Sequence, residues 1–360
     1  LKSNRKIESK LMVSGSHFDK KFGYTYKNIL SSGLNIDFKF KMDRKNLSKK
    51  HLIKSLSDYM QKLSFYIQRN YFDIILILGD RYETLVTAFI ANFYNVPIAH
   101  ISGGEITEGS QDDSYRHAIS KLSNIHFVSH EIYKKRLMQM GEDKNNIFNF
   151  GSLGIENIQS IKFLNKKQVE KKLKIKLNKK NFCLTYHPDT LTCNKNLSNF
   201  LILINALLKF KDCNIYITSP NADHGSKEII LQINKFCKMY RNIFFFKNLG
   251  KLKYFSLINQ CDISIGNSSS GITEIPYIKL FSINLGTRQK GRIMPKNVIN
   301  VPYNKKKIIH QINKCLGMSG KIKKIEIRNS TSLEISKKLS NIDLKKIVPK
   351  KFVDFKFNNC

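Results

Sequence analysis

The sequence predicts an α/β fold of parallel βα units divided into two domains. Short apolar runs alternate with longer helix-period segments along almost the whole chain, a rhythm that argues against all-β and all-α folds. Buried-looking runs such as "ILILGD" and "PIAHISGGE" end in clusters of charge, where parallel strands would turn into the next helix. A length of 360 residues, 41% of them hydrophobic, suffices for two compact cores.

In the first half the pattern places strands near residues 11–15 ("LMVSG"), 36–40, 72–79, 96–102, 125–129 and 146–150, with helices near 50–69, 82–93, 112–123 and 131–140. The strand signal stops over 152–180, where "GSLGIENI" turns into a helix and a lysine-rich linker follows. Strands resume near 182–187 ("FCLTYH"), 214–219, 242–247, 262–266 ("DISIG") and 280–285. A polar helical tail closes the chain, broken at Pro349 before "FVDFKF". The expected division is an N-terminal Rossmann-like domain over 1–155, a C-terminal one over 156–335 and a helical tail over 336–360. No short internal repeat is visible.

The start, "LKSNRKIESK", does not read as a secretory signal, and the longest apolar runs fall far short of a bilayer span. A soluble, cytoplasmic protein without membrane contact is expected. Seven cysteines are scattered without a CxxC pair or ligand spacing, which predicts reduced, mostly structural thiols. The formal net charge of +35 brings nucleic acid to mind. However, the basic segments 165–180, 304–314 and 319–329 are Lys/Asn/Ile mixtures without interleaved aromatics and with few arginines. They predict a solvated surface, and no nucleic-acid partner is expected.

Strand ends collect the candidate chemistry. They include His17 after the first strand, Asp80 and Arg81 after "ILILG", Glu105 after "AHISGG", His187 after "FCLTY", Ser219 to Asn221 after "NIYIT", and "GNSSSG" after "CDISI". Two facing domains would make one cleft of these ends. "IGNSSSGITEIP" (265–276) reads as strand, tight turn and helix, suited to a phosphate at the helix N-terminus. Ser268 and Ser269 would add hydroxyl donors, and Glu274 would reach a ribose. The same segment also fits an ordinary Ser-capped helix. It is neither a Walker loop, lacking GK[ST], nor a nucleophile elbow, because residue 270 is Ser. "NLGTRQKGR" offers Arg288 and Arg292 in one loop as bidentate donors to a diphosphate.

Asp80, Glu105 and Asp112 stand at three strand or helix starts and could move protons. They could equally be N-caps and surface ion pairs with Arg81 and Arg116. His187, followed by Pro188, belongs to an extended turn and is a candidate for catalysis or ligand contact. No ligand pair at helix or strand spacing supports a metal.

"GDRYE", "PIAHISGGEITEG", "DDSYRHAISKLS", "HFVSHEIYKKRLMQMGE", "FNFGSLGIENI", "HPDT", "GNSSSGITE" and "INLGTRQKGR" occur in the order found in hydrolysing UDP-N-acetylglucosamine 2-epimerases of sialic and related nonulosonic acid synthesis. The resemblance spans roughly residues 11 to 300. It implies a GT-B architecture, two Rossmann-like domains with the nucleotide sugar between them and a C-terminal helix packed back on the first. It further implies a homo-oligomer, dimer or tetramer, and no cofactor or metal. The implied reaction eliminates UDP to a 2-acetamidoglucal, then adds water with inversion at carbon 2 to release N-acetylmannosamine.

Carried over by position, Asp80, Glu105 and Asp112 resemble the acid/base carboxylates and His187 the cleft histidine. Ser268, Ser269 and Glu274 resemble the UDP contacts, with Arg288 on the diphosphate. His17, Arg81 and Arg116 resemble further substrate or cleft residues. No single carboxylate is assigned as the carbon 2 base, and choosing Asp112 over Asp113 is a matter of alignment.

Members of that family open with a strand and a G-[ST]-R-[AP]-[ED] loop, whereas Leu1 falls beyond that point. The expectation is a fragment or misplaced start and a first sheet lacking a central strand. Within the class, UDP-2,4-diacetamido-2,4,6-trideoxy-glucose of the legionaminic acid route is the rival substrate, since nothing read here fixes carbons 4 and 6. Non-hydrolysing epimerases share the fold, but "DDSYRH" and "GGEITEG" favour the hydrolysing branch. A GT-B glycosyltransferase, against which the dense carboxylate set argues, and a non-catalytic nucleotide-sugar binder remain as alternatives from other classes.

Overall fold

The computed structural model describes residues 1–20, 23–42, 48–189, 193–221, 225–318 and 330–354. The first half runs β1 (Met12–Ser14), α1 (Tyr26–Ser31), β2 (Phe38–Phe40), α2 (Lys49–Gln68), β3 (Ile75–Leu78), α3 (Tyr82–Phe93), β4 (Ile98–Ile101), α4 (Asp112–Leu122), β5 (Ile125–Val128), α5 (Glu131–Gln139) and β6 (Ile147–Asn149). Two helices follow, α6 (Leu153–Gln159) and α7 (Lys166–Leu173). The second half runs β7 (Lys180–Thr185), α8 (Asn196–Leu207), β8 (Cys213–Thr218), α9 (Ser226–Met239), β9 (Ile243–Phe246), α10 (Gly250–Ile258), β10 (Ile263–Gly266), α11 (Ser270–Thr273), β11 (Phe281–Leu285), β12 (Val298–Val301) and α12 (Lys305–Gly317). The tail forms α13 (Thr331–Ser340) and α14 (Leu344–Ile347).

Every strand pairing is parallel. The second half forms one sheet in the order β12-β11-β10-β7-β8-β9. Its strand order reverses between β7 and β10, so their carboxyl ends border the crevice where open α/β sheets bind ligands. In the first half β3-β4-β5-β6 form one sheet, and β1 and β2 pair separately. Among the described residues no strand joins these two sheets.

β7 shows why the apolar runs lack alternation. Phe182 and Leu184 face a core with Phe200 and Leu203 of α8, Ile229 of α9 and Ile308 of α12. Cys183, on the other face, packs with Val169 of α7 and Phe255 and Leu257 of α10. Helices cover both faces, so both residue parities are apolar. α2 covers only one core, and its buried residues Ser55, Tyr59, Leu63 and Ile67 recur every four positions. Ser48 caps it by accepting from the His51 amide at 3.4 Å.

Two readings of the sequence need correction. The lysine-rich stretch after 160 is not merely a linker, because Asn165 and Gln168 form a capping box that starts α7. β12 was not anticipated, and it forms an edge strand on β11. The basic segment 319–329 and the end of "FVDFKF" lie outside the described residues.

The tail returns to the first half. Ile335 and Ile347 join the cluster of Ala99, Ile101, Ile125 and Phe127. Lys350 Nζ donates to the carbonyls of Lys121 and Ser123 at 2.6 Å each, at the end of α4, and pairs with Glu142 at 2.7 Å. Cys183, Cys213, Cys237, Cys261 and Cys315 are free thiols, and burial pushes Cys183 up to about 12. No described helix is long and apolar enough to cross a membrane.

Candidate active site

The ends of β3 and β4 and the first turn of α4 bring Asp80, Glu105 and Asp112 together, each matched to an arginine. Asp80 accepts from Arg116. Asp112 Oδ2 lies 3.5 Å from Arg81 Nη1. Glu105 pairs with Arg292 from the loop after β11. The carboxylate side chains are 26%, 14% and 12% exposed in the order Asp80, Asp112, Glu105, so these are partly buried pairs. The capping alternative fails, since the N-cap residues of α3 and α4 are Arg81 and Gln111 and neither caps through its side chain. The ion-pair alternative holds, in partly buried pairs rather than fully solvated ones.

Arg116, expected among the substrate contacts, is instead enclosed at 1% exposure. It donates to the Glu105 carbonyl at 3.1 Å and to Asp113 at 3.0 Å, besides Asp80. Burial opposes its charge, but Asp80, Glu105 and Asp113 together raise its pKa. It organises the acids from within. Asp113 also accepts from the Thr107 amide and so fixes the loop before α4. Asp112, one residue away, lies beside Arg81 instead, so the two neighbours meet different arginines.

His17 lies in a 3-10 turn, Gly15–Phe18, with Nδ1 2.8 Å from the Thr25 hydroxyl. Burial lowers its pKa, and Glu83 acts in the opposite direction. Glu83 was missed, because an acid in the first turn of α3 reads as a dipole partner. It is 8% exposed, and Arg81 Nε lies 3.8 Å from its carboxylate. Glu83, Arg81 and Asp112 thus form a line of paired charges, with His17 within the electrostatic reach of Glu83. His100 was also missed. It donates through Nε2 to the Gly79 carbonyl at 2.9 Å and meets the Ser120 hydroxyl at 3.1 Å through Nδ1, tying the turn before Asp80 to α4. Burial pushes it down to about 3.

At the switch point of the second sheet, Gly266 has φ +146°, and a Cβ there would stand 1.9 Å from the Thr185 carbonyl oxygen. Glycine lets the ends of β10 and β7 lie side by side. Asn267, which sequence reasoning did not single out, then clamps His187 by accepting from its amide at 2.7 Å and donating to its carbonyl at 2.8 Å. The Asn267 carbonyl accepts from Arg288 Nη1 at 3.3 Å and Gln289 Nε2 at 2.9 Å. His187 Nδ1 accepts from the Asn221 amide at 2.9 Å, which puts the proton of the neutral ring on Nε2. His187, Arg288 and the serine loop are therefore one assembly.

The serine loop differs from the expected strand, turn and helix. α11 has four residues and is followed by a 3-10 turn, Ile275–Ile278, with Glu274 between them. Ser269 already has helical dihedrals and makes no side-chain cap bond, so the capping serine of the alternative reading is Ser268, one residue earlier. Ser268 Oγ accepts from the Ser270 amide at 3.4 Å. Glu274 faces α6, where a Cβ on Gly154 would lie 3.0 Å from its carboxylate, and burial raises its pKa against a bond from Ser270.

The family model described as UDP-N-acetylglucosamine 2-epimerase matches residues 1–331. A Campylobacter jejuni protein named GDP/UDP-N,N'-diacetylbacillosamine 2-epimerase (hydrolyzing) is 40% identical over 305 residues, covering 84% of this chain and 79% of that one. The polysialic acid biosynthesis protein P7 of Escherichia coli is 36% identical over 317 residues, covering 87% and 80%. The solved structure of a Neisseria meningitidis UDP-GlcNAc 2-epimerase bound to UDP-GlcNAc superposes with a TM-score of 0.77 at 18% identity, covering 95% and 94%. That likeness shows the GT-B fold, with two parallel-sheet, Rossmann-like halves across a cleft.

Proposed function

This chain belongs to the UDP-N-acetylglucosamine 2-epimerase family, and from that premise we propose that it is a hydrolysing UDP-sugar 2-epimerase. The observation that carries the proposal is the set of Asp80, Glu105 and Asp112, each beside its own arginine, joined through one loop to Arg288. Carbon 2 of a 2-acetamido sugar is a weak acid, so its proton must leave as the anomeric C–O bond breaks. A carboxylate takes the proton, the C–H electrons form the C1–C2 double bond, and the UDP oxygen keeps the C–O pair. Asp112, presented by the first turn of α4 with Oδ2 3.5 Å from Arg81 Nη1, belongs to this set with Asp80 and Glu105. Arg288, Ser268 and Ser269 stabilise the departing diphosphate, and His187 offers an Nε2–H donor beside it. Glu274 reaches the ribose, and His17 and Arg81 face the sugar. Water then supplies hydroxyl to carbon 1 and a proton to carbon 2 from the opposite face, giving a free sugar of manno configuration.

Two substrates fit this chemistry. UDP-N-acetylglucosamine would give N-acetylmannosamine for nonulosonic acid synthesis. UDP-2,4-diacetamido-2,4,6-trideoxy-glucose is favoured as the second reading by the name of the 40% identical relative. A division at 155 and 335, a cytoplasmic location and a homo-oligomeric state belong to the same proposal. The test is incubation of the purified protein with each UDP-sugar in the absence of any acceptor. Equal release of UDP and free amino sugar supports the proposal. Release only when an acceptor sugar is added points to a transferase, and binding without turnover to a nucleotide-sugar binder.

A further inference from the structure

Arg292 lies in the same loop as Arg288, and its sequence context suggested a second diphosphate ligand. Its geometry is different. The loop after β11 (residues 286–293) interlocks with the loop after β4 (residues 103–111), and Arg292 pairs with Glu105 inside that joint. The Glu108 amide donates to the Lys290 carbonyl at 3.1 Å. A Cβ on Gly109 would stand 2.5 Å from Arg288 Cα, and one on Gly291, at φ +89°, 2.3 Å from Ile106. Both glycines permit the close approach. Lys290 and Glu108 pair at 2.7 Å but are 67% and 47% exposed, so that pair contributes little. Arg292 and Glu105 are 8% and 12% exposed, and their pair carries the joint.

Resting on the epimerase reading, we propose that Arg292 is a positioning residue that couples the diphosphate-gripping loop to the Glu105 carboxylate across the cleft. Arg288 grips the leaving group, and Arg292, four residues on, sets where Glu105 stands. Diphosphate binding and the placement of one acid are then a single event, and the acid cluster is complete only when the two halves engage.

The test compares Arg292→Gln and Arg292→Lys with wild type in three readouts: turnover, UDP affinity by calorimetry, and backbone hydrogen exchange over residues 103–111. Arg292→Gln should lower turnover about a hundredfold, the cost of misplacing a catalytic group, and leave UDP affinity within about threefold. Exchange over 103–111 should quicken, and UDP should slow it in wild type but not in Arg292→Gln. Arg292→Lys, keeping the charge but not the fork, should recover part of the turnover and of the protection. Loss of UDP affinity by the same factor as turnover would make Arg292 a diphosphate ligand and overturn the proposal. Unchanged exchange in Arg292→Gln would overturn it as well. If wild type turns over no UDP-sugar, the epimerase reading fails while the exchange result still decides the coupling.

Discussion

Replacing Asn267 by alanine tests how the second sheet holds His187. The Asn267 side chain accepts from the His187 amide at 2.7 Å and donates to its carbonyl at 2.8 Å. Asn267 and His187 are 1% and 7% exposed. Alanine leaves a buried donor and a buried acceptor without these partners, and each costs about 1–3 kcal/mol unless water enters. Asn267→Ala should therefore destabilise the protein by about 2–6 kcal/mol. Asn267→Asp keeps the acceptor but turns a carboxylate oxygen toward the His187 carbonyl at a buried position, so it should cost at least as much. His187 would lose its fixed place, so turnover should fall at least about tenfold. The chain has no tryptophan, so urea unfolding is best followed by circular dichroism, with turnover measured in parallel. A stability change below about 0.5 kcal/mol, within the range of ordinary surface substitutions, together with unchanged turnover would refute the clamp.

Arg288→Ala should weaken UDP binding by about ten- to a hundredfold, the worth of a charge-assisted hydrogen bond, and calorimetry with UDP measures it directly. Asp112→Asn should abolish turnover while UDP binds as in wild type, and residual turnover near the wild-type rate would remove Asp112 from proton transfer. His100 sits neutral in the fold, its pKa depressed to about 3 by burial. Its stability contribution is present above the ordinary histidine pKa of about 6.5 and is lost as pH falls toward the folded value. Between pH 7 and pH 5 that loss is about 2 kcal/mol, above the range where carboxylates titrate. Urea midpoints at the two pH values should show it, and His100→Gln should flatten the slope; an unchanged slope would contradict the assignment.

Much of the fold was legible because parallel sheets covered on both faces leave continuous apolar runs, as in Phe182 to Leu184. β12 escaped because "VINV" is short and lies between Pro295 and Pro302, which read as loop. The strand-end rule collected Asp80, Glu105, His187 and the serine loop without any knowledge of the sheet order, and Asp112 entered as a carboxylate at a helix start. The partnerships were not legible. Glu105 and Arg292 are 187 residues apart, and only the meeting of two loops joins them. Arg116 reads as a cleft residue or the partner of a surface ion pair, yet the convergence of β3 and β4 on α4 encloses it. Asp112 and Asp113 are the same residue type side by side, and only the direction of each side chain distinguishes them. Asn267 looked like part of a phosphate turn, whereas its work is to hold the histidine on the neighbouring strand.

The central claim is that the carboxylate cluster removes and returns a proton at carbon 2 of a UDP-linked 2-acetamido sugar. Proton NMR of the purified protein with UDP-N-acetylglucosamine, and in parallel with the diacetamido sugar, in deuterated water tests it most directly. The account predicts UDP and a free manno-configured sugar carrying deuterium at carbon 2. A released sugar that keeps its original proton and its gluco configuration would contradict it, because the bond to UDP would then have been hydrolysed without any proton moved by the acids.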